Sequence, residues 1–295
     1  MTKDKTVHCV ADVKAVLGEG PVWVAEEQAL YWVDIKGRKI FRLDEKGART
    51  EWETPFRVGS IAPRGTGGFI AGTDKGFASI DLRRKRFDLI GNPEEDRPDN
   101  RFNDGKVDRD GRFWAGTMDD TEQAATGALY RLDAAAEGAL TCTRMDDGYR
   151  VTNGPAFSPG GRLIYHTDSA RQIIYVFDLD EEGGLGERQV FARFEENDGY
   201  PDGMTVDAEG CLWVAFWDGW CVRRFSPAGE CILTLDLPVQ RPTSVAFGGP
   251  QLDRLYITSA SIGLDALALS MQPYAGGLFL TTPGVVGVAG IPFAG

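Results

Sequence analysis

The sequence predicts an all-β fold, a six-bladed β-propeller of four-stranded antiparallel sheets around a central channel, and three observations predict it. Segments rich in aromatic and β-branched residues recur as ALYWVDI, GFIAGTD, RFWAGTM, RLIYHTD, CLWVAFW and RLYITSA. Measured from Leu30, Phe69, Phe113, Leu163, Leu212 and Leu255, they lie roughly 40 to 50 residues apart, the period of propeller blades with loops of variable length. After most of them comes a further strand-like run (KIFRLD, FASIDL, ALYRLD, IIYVFDL, VRRFS, GLFLTT), then a Gly, Asp or Lys turn and a weaker strand. Each repeat is therefore a four-stranded meander with an uncovered apolar face, which blades bury by stacking around an axis until the ring closes.

Taken in order, Val7 to Val16 alternates like an edge strand that has lost its neighbours, and is expected to complete the last blade and tie the chain's two ends together. Each repeat then opens on an inner strand, clearest in Tyr200 to Gly219 (YPDGMTVDAEGCLWVAFWDG), which reads as strand, D-x-x-G turn, strand. The acidic runs Glu94 to Asn100 and Asp180 to Glu187 read as solvated turns. Trp23, Trp114, Trp213 and Phe216 read as packing between sheets, while Trp217 and Trp220 fall in a loop near the expected channel mouth. The final VVGVAGIPFAG is too short for another blade. Residues 1–295 are read as a single propeller domain.

A net charge of −12 disfavours nucleic acid or an anionic membrane as partner. No signal-like segment opens the chain and no apolar run approaches the ~18 residues that span a bilayer, so a cytoplasmic monomer or weak homodimer is expected. Five cysteines without C-x-x-C spacing suit a reducing compartment and behave as small packing residues. Of the two histidines, His166 alternates with apolar residues and reads as a strand residue rather than a ligand.

When the inner strands are laid together, one slot holds Glu19 (GEGPVWV), Asp104 after Asn103 (FNDGKVD), Asn153 (TNGPAFS) and Asp202 (PDGMTVD) and, less clearly, Ser60 and Ser244. Turn formation does not account for this set, because the blade turns VDRDGR and VDAEGC carry their own Asp at the far end of the inner strand. Residues opening successive inner strands converge at one mouth of a propeller channel. Glu19, Asn153 and Asp202 thus form a hard, oxygen-only ligand set suited to Ca²⁺, Mg²⁺ or Mn²⁺ and acceptable to Zn²⁺, whose charge would offset two acids that otherwise repel. Of the Asn103–Asp104 pair, Asn103 is expected to point inward and Asp104 to hold backbone. Arg101, two residues ahead of Asn103, can reach the cavity with a planar donor fork.

These residues carry a family likeness. LGEGPVW, RFNDGKVDRDGRFWAGTM, TNGPAFS and PDGMTVDAEGCLWVA together make the chain resemble the SMP-30/gluconolactonase (regucalcin-like) family from near its start to YAGGLFL and GIPFAG. The resemblance implies a six-bladed propeller, one catalytic divalent metal on Glu19, Asn153 and Asp202, and hydrolysis of sugar lactones, with Arg101 and Asn103 contacting the substrate. Two departures stand out. In animal members an acidic residue a few positions after the GTM segment approaches the sugar, and here Thr121 takes that place between Asp120 and Glu122. In the loop Ser259 to Gln272, Ile262 stands where a basic side chain is usual.

A lactone carbonyl must accept water and pass through a tetrahedral oxyanion, which a metal stabilises as a Lewis acid. No G-x-S-x-G elbow is present, so direct attack by water fits better than an acyl enzyme. Asp202 is the expected proton acceptor, with activation of the water by the ion itself as the alternative. A related metal-dependent esterase or phosphotriesterase and a non-catalytic calcium-binding propeller are the competing functions, since the fold does not fix the substrate.

Overall fold

Pairing of the strands in the computed structural model, which describes residues 6–135 and 138–295, gives six four-stranded antiparallel sheets. Blade 1 holds β2 (Gly18–Val24), β3 (Ala29–Asp34), β4 (Lys39–Asp44) and β5 (Arg49–Glu53). Blade 2 holds β6 (Val58–Pro63), β7 (Phe69–Thr73), β8 (Gly76–Asp81) and β9 (Arg86–Gly91). Blade 3 holds β10 (Asn100–Val107), β11 (Phe113–Asp119), β12 (Gly127–Ala134) and β13 (Leu140–Tyr149). Blade 4 holds β14 (Thr152–Phe157), β15 (Leu163–Asp168), β16 (Ile173–Asp178) and β17 (Gln189–Arg193). Blade 5 holds β18 (Tyr200–Val206), β19 (Leu212–Trp217), β20 (Cys221–Phe225) and β21 (Cys231–Asp236).

Blade 6 is assembled from both ends of the chain. It holds β22 (Pro242–Gly248), β23 (Arg254–Ser259) and β24 (Leu278–Thr281), and its outer strand is β1 (His8–Ala11), antiparallel to β24 with His8 opposite Leu280. The edge strand expected from Val7 to Val16 is shorter in fact: after a bulge between Cys9 and Ala11 its pairing resumes only at Ala11, opposite Leu278, and stops there. Between β23 and β24 lies the one short helix among the described residues, α1 (Ala266–Met271), capped by Asp265.

Burial follows the repeat. The second strands are buried along nearly their whole length, as in β3 and β11, because both faces meet neighbouring sheets, whereas outer strands such as β9 and β5 are mostly exposed. Trp114, Trp213 and Phe216 are buried between blades as expected, and Trp23 is stacked on Tyr256. His166 lies inside blade 4 with Tyr149 edge-on at 4.7 Å, and burial holds its imidazole down at about 3. It stays neutral.

The C-terminal segment does something the sequence did not announce. It crosses one end of the channel, with Ala208 N donating to the Val286 carbonyl, Phe293 N to the Pro63 carbonyl and Ala294 N to the Gly111 carbonyl. Phe293 is fully buried. Above this strap lies a cavity of about 400 Å³ that reaches Gly20, Asp104, Lys106 and Ser244. No helix among the described residues is long and apolar enough to cross a membrane.

Candidate active site

Every inner strand breaks register at or beside the repeated slot: between Glu19 and Val22, Val58 and Ser60, Phe102 and Gly105, Asn153 and Ala156, Pro201 and Met204, and Pro242 and Val245. A bulge adds a residue to one strand and re-aims a side chain. Six bulges at one level are the physical cause of the polar slot read from the repeats. Crowding at the axis explains the glycines beside it: a Cβ on Gly203 would stand 2.1 Å from Ser244 Oγ, and one on Gly59 2.4 Å from the Asn103 carbonyl oxygen.

Glu19, Asn153 and Asp202, from blades 1, 4 and 5, are all buried at this level. Among the described residues the Glu19 carboxylate accepts only the Gly20 amide, 3.2 Å from Oε2, and Asp202 Oδ1 is buried with no partner. Burial, then the charge of Asp104, pushes Glu19 up to about 8; burial, then the charges of Glu19 and Asp104, pushes Asp202 well above the carboxylate range. The Asn153 side chain is anchored by its Nδ2 donating to Ser169 Oγ at 2.9 Å, while its Oδ1 accepts from Asn103 Nδ2 at 3.0 Å. Two repelling acids, an orphaned carboxylate oxygen and an oriented amide oxygen are a hard donor set short of positive charge. A divalent cation fits it.

Asp104 holds backbone, its Oδ1 accepting from Gly105 N at 2.8 Å and its Oδ2 from Gly154 N at 3.1 Å. It also adds its charge to the channel, where burial raises it to about 6 against the pull of Lys106. Lys106 is anchored below by donating to the Met204 carbonyl at 2.8 Å, and burial lowers its own pKa.

Arg101 and Asn103 are buried side by side. Arg101 Nη1 donates to Asn103 Oδ1 at 2.7 Å and to the Phe102 carbonyl, and Nε donates to Asp120 Oδ1 at 2.7 Å. Nη2 has no partner among the described residues. Asn103 Nδ2 donates to the Thr152 carbonyl at 2.8 Å and to Asn153, so the amide that was expected to meet a sugar is largely committed to holding Arg101 and Asn153. One lone pair of its Oδ1 remains.

The acid at the centre of this mouth is one that sequence reasoning left without a role. Asp120 accepts from Lys36 Nζ at 2.9 Å, Arg57 Nη1 at 2.7 Å and Arg101 Nε. Burial pushes its pKa up, but these three cations hold it well below the usual range. The partners come from three blades; Arg57 and Arg101 stand at the same place in their repeats, three residues ahead of Ser60 and Asp104, but Lys36 and Asp120 lie outside that repeat. Thr121, which stands in sequence where an acidic residue was expected from the resemblance, lies beside Asp120. Its hydroxyl turns back to the Asp119 carboxylate at 2.8 Å, and the side chain whose charge reaches both Arg101 and Asp202 is Glu122. On the opposite rim, Arg241 lies over the Trp217 ring at 4.7 Å and donates to the Ile262 carbonyl, so Ile262 contributes its backbone there. Trp220 is 43% exposed beside it.

A second acidic group, Asp207, Glu209 and Cys211, is also close enough to hold an ion. Its donors are already used. Asp207 accepts from the Glu209 and Cys211 amides, from Trp213 Nε1 at 2.8 Å and from Arg224 Nε at 2.8 Å, and Arg224 also pairs with Glu209.

Comparison with known proteins agrees with this architecture. The model of the SMP-30/Gluconolactonase/LRE-like region matches residues 17–261. A 6-deoxy-6-sulfogluconolactonase from Pseudomonas putida is 38% identical over 99% of this chain and 100% of its own length, and a regucalcin from Danio rerio is 40% identical over 97% and 96%. The crystal structure of a calcium-binding protein, regucalcin, from Agrobacterium tumefaciens superposes with a TM-score of 0.91 at 28% identity, covering 98% of this chain and 97% of that one. The chain belongs to the SMP-30/gluconolactonase/LRE-like family.

Proposed function

We propose that this chain hydrolyses sugar lactones to the corresponding aldonic acids, with one divalent cation held by Glu19, Asn153 and Asp202. The observation that carries the reading is the pair of buried acids at the open mouth, one with an oxygen that nothing in the fold satisfies. The gluconolactonase named among the relatives and the calcium-binding neighbour support substrate class and metal respectively. When bound, the cation supplies Lewis-acid polarisation of the lactone carbonyl.

The protein's own groups do the rest. Asp202 accepts the proton of the attacking water and returns it to the leaving hydroxyl. Arg101 presents Nη2 to sugar oxygens, and Asn103 meets a sugar hydroxyl only through the remaining lone pair of Oδ1. Burial of the whole set strengthens each of these interactions by keeping bulk water out. The five free cysteines support a reducing, cytoplasmic setting for a single propeller domain.

Initial rates with gluconolactone, a pentonolactone and paraoxon, in EDTA and after return of Ca²⁺, Mg²⁺, Mn²⁺ or Zn²⁺, test the reading. Lactone turnover should vanish in EDTA and return to different extents with each ion. Undiminished turnover by protein shown to be metal-free would overturn the metal, preference for paraoxon would move the chain to phosphotriester chemistry, and ion binding without any turnover would leave a binding protein.

A further inference from the structure

Among the described residues, the six inner strands carry three acids, Glu19, Asp104 and Asp202, and two cations, Arg101 and Lys106. All three acids are buried, and the charge of Asp104 acts on both Glu19 and Asp202. Arg101 spends its charge at the rim, paired with Asp120 at 2.7 Å. Glu122, whose charge also reaches Asp202, is exposed and screened by water. Lys106 is therefore the inner-strand cation left to face three buried carboxylates.

Its place is set by two strands that are not neighbours. Lys106 stands two residues farther along β10 than Asp104, in blade 3, and its Nζ donates at 2.8 Å to the carbonyl of Met204 on β18, in blade 5. Blade 4 lies between them. The reach carries the ammonium across the channel below the slot, where it lines the cavity together with Asp104. Burial works against its proton and the charge of Asp104 holds it there. Three carboxylates against one ammonium leave two negative charges, which a divalent cation cancels and a trivalent one overshoots.

We infer that Lys106 selects the charge of the ion: by cancelling one of three acids, it fits this channel to a divalent cation over a trivalent one of the same size. The inference rests on the metal reading above and adds to it a residue outside the donor set, acting at a distance through its charge. The energy of a fixed charge scales with the charge of the ion near it, so removing Lys106 changes trivalent binding more than divalent binding. A strut that merely braced the channel would move both ions alike.

The test titrates Ca²⁺ and Tb³⁺, ions of closely similar radius, onto metal-free wild type, Lys106→Met, Lys106→Gln and Lys106→Arg at one ionic strength. The readout is the ratio of the two Kd values. Preference should move about tenfold towards Tb³⁺ in Lys106→Met. Lys106→Gln, which keeps a donor for the Met204 carbonyl, should move as far, and Lys106→Arg should stay within about twofold of wild type. Adding Asp104→Asn to Lys106→Met restores two negative charges and should bring the ratio back. An unshifted ratio in Lys106→Met and Lys106→Gln overturns the inference. So does a shift that Lys106→Gln lacks, which would trace to the lost bond, or one that Asp104→Asn leaves in place. If ions bind but no lactone is turned over, the lactonase reading fails while the ratio still decides the part of Lys106. If wild type binds neither ion, the metal reading and this inference fall together.

Discussion

Asp202 and Asp207 lie on or beside the same strand, β18, five positions apart in sequence, and both are buried. Their surroundings are opposite. Asp207 accepts two backbone amides, an indole N–H and a guanidinium, and Asp108 in blade 3 repeats the arrangement with the Asp110 and Arg112 amides, Trp114 Nε1 and Arg112 Nε. This is the structural use of the D-x-x-G turn, a carboxylate buried because it is fully satisfied. Asp202, at the other end of the strand, is buried with an orphan oxygen and two acidic neighbours. A buried acid surrounded by donors holds a fold together; one facing other acids is waiting for a charge from outside.

The comparison is broken most forcefully by exchanging the same atoms at the two positions. Asp202→Asn keeps size and one ligand oxygen but removes the proton acceptor, so kcat should fall about 10²- to 10⁴-fold, while thermal stability in chelator holds or rises because one repelling charge is gone. Asp207→Asn should do the reverse: a loss of about 3–5 kcal/mol in stability as Arg224 is left in a buried site with a poorer partner, and near-normal kcat for the folded fraction. Metal content and kcat measured on one sample decide the first half. A metal-loaded Asp202→Asn enzyme within threefold of wild type would transfer water activation to the ion, and a large loss of kcat in folded Asp207→Asn would dissolve the distinction between the two acids.

Much of this was legible before the fold. Blade number, strand order and the closing N-terminal strand follow from a period repeated six times and an orphan edge strand, and local alternation carries that information. The slot residues Glu19, Asn153 and Asp202 were legible because the bulge recurs with the repeat. The Asp120 hub was not, since Asp120 and Lys36 lie in connections that diverge between blades, and their meeting with Arg57 and Arg101 is set by tertiary approach. The path of the loop after GTM was hidden for a related reason: counting positions cannot see that Asp119, held at about 2 chiefly by the Ala124 amide, folds the loop around itself and takes the Thr121 amide and hydroxyl. The C-terminal strap was likewise invisible, because its bonds join residues with no shared pattern.

The pH dependence of the metal-free protein sharpens the same contrast at smaller amplitude. Glu19 is raised to about 8 and Asp202 is raised with it, whereas in the unfolded chain such groups titrate near their ordinary ~4. Between those values the folded state binds more protons than the unfolded one, so stability in EDTA is fully present at low pH and falls as pH rises through the window to about 8. Asp119 and Asp120, with depressed values, act below this window and in the opposite sense. Thermal melts from pH 5 to pH 8.5 should therefore decline in chelator and flatten when Ca²⁺ or Mn²⁺ replaces the protons. A rising or flat profile in chelator would mean that the two acids do not share one site.

The smallest effect belongs to a slot residue that carries only a hydroxyl. Ser60 occupies in blade 2 the level that Asp202 occupies in blade 5, and its Oγ is also buried without a partner. A hydroxyl there serves shape: it lies against Gly72 and Gly105, with an added Cβ on Gly105 only 2.8 Å away. Removing it leaves a void smaller than a methyl group and relieves an unsatisfied polar atom, two terms of opposite sign and each about 1–2 kcal/mol. Ser60→Ala should accordingly keep its metal content, keep kcat within twofold, and change stability by less than about 1 kcal/mol. Chemical denaturation and metal analysis of the variant check this. If Ser60→Ala lost metal as Asp202→Asn is expected to, blade 2 would belong to the donor set, and the orphaned hydroxyl would have to be counted among the groups awaiting the cation rather than among those that fill the axis.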